Sequence, residues 1–181
     1  MHCSTAALCR QTVKQVAPVR YLWYNAKQNL FTGKGNAVDK HLERVKDTLT
    51  QGEYTIAVEN NGKIYTSDKN GIAPLLDFLK NPEILRGAAA ADKVIGKAAA
   101  YLFLKGGVRE LYAQLLSEPA KELLESRNVP VTYGQLVPYI KNRTQDGMCP
   151  MEQSVLEVQN EEEALQKLQE TLARLKGKPV Q

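Results

Sequence analysis

Histidine is nearly missing: the 181 residues include two, His2 and His41. Both lie at or before the edge of the segment with periodic apolar residues. Ser-His-Asp catalysis, Cys-His catalysis and a histidine-based zinc site therefore have no imidazole in the expected core. Cysteine is scarce as well. Cys3, Cys9 and Cys149 are odd in number, widely placed and free of metal-finger spacing, and no secretory signal precedes them. This excludes a disulfide scaffold and places the chain in a reducing, cytoplasmic setting. No apolar run reaches the roughly 20 residues that a spanning helix needs. The richest, Val94 to Leu104, is broken by Gly96 and Lys97, so no membrane association is expected. Phosphate-binding glycine loops are absent too, since Gly96, Gly106 and Gly107 have neither P-loop nor dinucleotide spacing.

The charge that is present is unevenly placed. The formal net charge is +4, yet six bases and one acid precede residue 42, leaving 18 bases and 19 acids in the remainder. A nearly neutral body argues against a nucleic-acid partner, which calls for a clustered basic face. Residues 1–40 read as a basic, flexible extension: a tail or targeting peptide, or a disordered or over-extended start. Residues 41–176 read as one α/β domain.

Within that domain, Leu42, Val45 and Leu49 mark a helix ended by Gly52, and Tyr54 to Thr66 alternate around Asn61-Gly62 as an antiparallel hairpin. Pro74 opens a helix and Asn81-Pro82 closes it. A long central helix is expected from Ala91 to Leu104, stopped by Gly106-Gly107. Val108–Leu116 and Val129–Val137 read as strands around a helix capped by Ser117. After a polar stretch, Pro150 opens a helix that includes Val155 and Leu156. The last helix has an Asn160 cap, Glu161 to Glu163 at its positive end, and a stripe of Leu165, Leu168, Leu172 and Leu175 for the domain edge or a second copy. Alternating strands and helices imply a mostly parallel sheet covered by helices, with the hairpin as its antiparallel part.

Two helix starts attract chemical interest. At one, Cys149 sits where the helix dipole favours thiolate, and Glu152 follows three residues later on the same face; the pair suits a nucleophile, a metal ligand set, or a buried thiol beside a stabilising acid. At the other, Asp92 and Lys93 precede Lys97, with the two lysines one turn apart on the expected helix, fit for a phosphate or carboxylate or simply a solvated face. Arg86-Gly87 adds an anion contact.

The order of elements, ending in Cys-x-x-Glu on a helix, resembles the cytidine-deaminase-like superfamily. Gly71-Ile72-Ala73-Pro74-Leu75-Leu76, Ala91 to Ala100, Ser117-Glu118-Pro119-Ala120 and Gly147-Met148-Cys149-Pro150-Met151-Glu152 are more closely similar to the prokaryotic family called domain of unknown function 1893, over roughly Leu42 to Leu175. The resemblance implies a three-layer α/β/α sandwich with a mixed sheet, and no settled reaction. Deaminases of the superfamily hold zinc with a His or Cys at one helix start and Pro-Cys-x-x-Cys at another, and a glutamate moves protons. Matched to that pattern, Ala91 or Asp92 takes the first ligand position and Lys93 the glutamate's. Cys149 keeps one cysteine, Glu152 replaces the other, and Met148 replaces the proline. No cofactor is expected; zinc, if bound, would rest on Asp92, Cys149 and Glu152.

Two functions follow. One is a binding module in which Arg86, Gly87, Lys93, Lys97 and the helix tips take an anionic, nucleotide-like molecule. The other is an enzyme in which Cys149 is nucleophile, sulfur carrier or ligand of a non-standard metal site, supported by Asp92, Lys93 and Glu152. A homodimer through the last helix is a third, structural use.

Overall fold

In the computed structural model, which describes residues 40–177, Val45 and Leu49 stand one turn apart and seat helix α1 (Lys40–Gln51) on a sheet. The expected basic extension falls outside the described residues except for Lys40. Strands β1 (Ile56–Asn60) and β2 (Lys63–Ser67) pair antiparallel. Asn61 at φ +49° and Gly62 at φ +76° form the tight turn between them, a left-handed geometry that asparagine and glycine accept most readily.

β1 is interior. It lies between β2 and β3 (Ala89–Ile95), and β3 runs parallel to β4 (Glu110–Ser117), which runs parallel to β5 (Val131–Val137). The five strands therefore form a mixed sheet in the order β2-β1-β3-β4-β5. Ile56, Ala57, Val58 and Glu59 are all buried, because helices cover both faces of β1. Glu59 Oε1 is reached by Arg44 Nη1 at 2.6 Å and His41 Nδ1 at 2.8 Å beneath α1, while its buried Oε2 has no hydrogen-bond partner among the described residues.

The expected helix from Ala91 to Leu104 is corrected here. Ala89–Ile95 is a strand, and the helix, α4, occupies Lys97–Gly106. A strand buried on both faces loses its two-residue alternation and reads as a plain apolar run, which periodicity cannot tell from a buried helix. The run Ala88 to Ala91 carries no face preference; Val94-Ile95 followed by Gly96 was the available strand-then-cap signal. Gly96 caps α4 where space is short: a Cβ there would meet Ile140 Cγ1 at 2.8 Å and Glu152 Oε1 at 3.0 Å.

Six consecutive residues of α4, Ala98 to Phe103, are buried, so the helix is wrapped all round. It packs against α5 (Glu118–Ser126) and α7 (Glu161–Leu175), with the short helices α2 (Ala73–Phe78) and α3 (Pro82–Leu85) beside it. On the opposite face α1 covers Ala57, Ala91 and Tyr112. Ser117 Oγ accepts from Ala120 N at 3.3 Å and Asn160 Oδ1 from Glu163 N at 2.9 Å, fixing the starts of α5 and α7. The helix expected from Pro150 through Leu156 is a single turn, α6 (Pro150–Gln153). Among the described residues no helix is long and apolar enough to cross a membrane.

Candidate functional site

β3 ends where α4 begins, and the chain opens there into a crevice of about 240 Å³. Ile72, Ala98, Ala99 and Met151 give it apolar walls, while Asp92, Lys93, Cys149 and Glu152 bring the polar groups. The carboxyl end of a parallel strand is where α/β sheets leave room for ligands, since the following helices diverge from the strand ends.

Glu152 holds this corner together. It is 1% exposed. Its Oε1 accepts from Lys97 N at 3.1 Å and from the Ser117 hydroxyl, and its Oε2 accepts from Ile140 N at 2.5 Å. One carboxylate thus joins the first turn of α4, the end of β4 and the segment after β5. It also supplies the negative charge that the amino end of α4 attracts, so that helix tip is already capped by the protein itself. The polar stretch 141–147 folds back on itself, with Asp146 Oδ1 accepting from Asn142 Nδ2 at 2.7 Å and Thr144 Oγ1 at 2.6 Å. This return brings Cys149 N to Ile140 O at 2.7 Å.

Asp92 behaves differently. It is 8% exposed, its Oδ1 accepts from Val94 N at 2.9 Å, and no other described group reaches its carboxyl. Burial away from water pushes its pKa up from 3.8 to about 7, against the opposing effect of the Val94 N–H. Lys93 follows on the strand, half-buried, its N–H donating to Thr55 O at 2.9 Å and its ammonium without a partner among the described residues. Cys149, half-buried at the start of α6, faces the same crevice.

The structure therefore brings Asp92, Lys93, Cys149 and Glu152 together, with Asp92 and Lys93 on a strand end instead of a helix tip. Lys97 is not one turn from Lys93: its ammonium bonds the Leu156 carbonyl and lies 5.9 Å from the Tyr101 ring centroid. Arg86 and Gly87 are elsewhere. Arg86 ends α3 near Glu83, at 3.9 Å, and Gly87 N donates to Gly107 O at 2.7 Å. Thr55, Asn70 and Ile140 also line the crevice and escaped the sequence reading. Asn70-Gly71 is a visible turn signal, but nothing in the sequence says onto which strand that turn folds.

Both Glu152 oxygens are committed to three donors, the start of α4 offers Gly96, Lys97 and Ala98, and among the described residues no three His, Cys, Asp or Glu side chains gather as a metal set.

The family described as Domain of unknown function (DUF1893) matches residues 44–172. Among solved structures, a DUF1893 family protein from Thermotoga maritima is 26% identical with a TM-score of 0.66, over 77% of this chain and 93% of that one. Acinetobacter baumannii RibD is 12% identical over 51% of this chain and 34% of that one; its TM-score of 0.34 is too low to carry an argument. The comparison with curated proteins gives no match.

Two outcomes follow from the paired carboxyls. Glu152→Ala strands three donors in a dry corner and should lower the unfolding free energy by about 3–5 kcal/mol, read from urea denaturation; a change within experimental error would contradict the clamp. For Asp92, the folded carboxyl holds its proton more tightly than the unfolded one. Its contribution is fully present below pH 3.8 and is lost as pH rises toward 7. Between pH 4 and 8 the wild type should lose up to about 4 kcal/mol relative to Asp92→Asn, and parallel pH profiles for the two proteins would refute it.

Proposed function

The chain belongs to the DUF1893 family, and from its crevice we propose that it binds a small, anionic, nucleotide-like molecule without zinc-dependent deamination. The observation that carries this reading is Asp92, nine-tenths buried with one oxygen free of any described partner and lining a crevice with apolar walls. A carboxyl so placed keeps hydrogen-bonding capacity that a ligand in the crevice can use. Its raised pKa lets it accept from a ring N–H or, protonated, donate to a ring nitrogen. The cavity lies below the roughly 300 Å³ at which drug-sized sites begin, so a single heteroaromatic ring enters and the anionic group stays outside. Lys93, the unpartnered cation at the crevice, meets that group. Helices on both sheet faces support a three-layer α/β/α arrangement of the cytidine-deaminase kind.

A second reading rests on Cys149. Its half-buried thiol opens into the same crevice as a carboxyl that titrates near neutrality, which supports an enzyme whose nucleophile is Cys149 and whose proton acceptor is Asp92.

Thermal melting with nucleosides and their monophosphates tests the binding reading. A ligand present at 100 times its Kd should add about 2.7 kcal/mol of stability. Lys93→Ala should weaken the monophosphate and spare the nucleoside, while Asp92→Asn should weaken both; no shift with any of them removes the reading. Alkylation of Cys149 followed by mass spectrometry across pH tests the other. An activated thiol reacts well below the free-cysteine value of about 8.5, whereas a rate rising only near that value leaves no activated nucleophile.

A further inference from the structure

A groove of about 950 Å³ lies away from the crevice, between α2, the carboxyl end of α4 and α7. Its floor is apolar, with Leu76, Leu79, Leu165 and Leu172 each half-buried. Its rim carries five bases, Lys69, Lys80, Arg86, Lys105 and Lys176, and one acid, Asp77. Lys69 and Lys80 share that acid at 2.7 and 2.5 Å, and the Lys176 ammonium has no partner among the described residues. The groove thus suits an occupant that is apolar along its length and acidic at one end.

α7 itself has that chemistry. Its inward stripe, Ala164, Leu168 and Thr171, is buried against the domain. Beside it runs a second stripe, Glu162, Leu165, Gln169, Leu172 and Lys176, spaced 3, 4, 3 and 4 residues apart along one flank, and all but Glu162 line the groove. Read from either end, the stripe is charge, leucine, glutamine, leucine, charge, with opposite signs at its two ends. Laid antiparallel on a copy of itself with Gln169 at the centre, it sets Glu162 of one chain against Lys176 of the other and each leucine near a leucine. Glu162 is 81% exposed and already within 2.5 Å of Lys105 on the rim, so it can join both bases.

We propose that this groove seats a second copy of the chain, in a two-fold dimer whose axis passes near Gln169. The acidic half of each α7 then lies in the basic groove beside the other chain's carboxyl half, and a two-fold interface satisfies both grooves at once. The dimer stands independently of any ligand in the crevice.

Sedimentation equilibrium of the full chain at tens of micromolar should give twice the 20.1 kDa of one chain. Lys176→Glu and Glu162→Lys should each raise the dimer Kd by about tenfold, because two ion pairs turn repulsive by symmetry. The double variant should restore it. Changing Cys3, Cys9 and Cys149 to serine and Gln169 to cysteine should give a disulfide-linked dimer on oxidation, since Cα atoms within about 7 Å can be bridged; Lys167→Cys, on the opposite flank, should not. A 20.1 kDa species at every concentration overturns the proposal. So does a dimer in which the double variant fails to rescue and Gln169→Cys fails to cross-link.

Discussion

Glu152 is the point on which the crevice depends. Backbone N–H groups and a hydroxyl at the ends of three separate segments would otherwise meet in a corner closed to water, where each unmet donor costs about 1–3 kcal/mol. The carboxylate satisfies all three at once, and Gly96 leaves it room to approach. One wall of the crevice follows from that junction: Ala98 and Ala99 through α4, Ile140 and Cys149 through the returning loop, Met151 through α6.

Two carboxyls separated by this crevice thus have opposite roles. Glu152 is saturated with donors and fastens the wall, so its charge is spent inside the protein. Asp92 keeps one oxygen without a described partner and holds its proton to near neutrality, so its bonding capacity remains for something else. The contrast follows from local structure. Glu152 sits among helix and loop ends, where free N–H groups accumulate. Asp92 sits in a strand whose backbone N–H groups are largely taken by the ladders to β1 and β4.

Much of this was legible in the sequence where a residue's chemistry acts locally. Ser117 and Asn160 advertise helix starts because their side chains bond N–H groups three residues on, and the strand before Ser117 follows from the turn chemistry around it. That Asp92, Lys93, Cys149 and Glu152 belong together was readable from the resemblance, although the element carrying Asp92 was not. Ala88 to Ala91 buries equally well in a helix or a two-faced strand, and the deciding neighbours, β1 and β4, are remote in sequence. Lys97 misled for a related reason: its partner is the Leu156 carbonyl, a bond no local pattern encodes.

The clamp also ties together residues far apart along the chain, Glu152 lying 55 positions after Lys97 and 35 after Ser117. Contacts that span such loops close late, because chain entropy is lost before the bonds repay it. All five strands and α4 lie before residue 138, but the crevice cannot exist until residues 138–158 dock. During synthesis from the amino end, the chain therefore acquires its shape before its cavity, and a fluctuation that detaches residues 138–158 would empty the cavity while leaving the sheet folded.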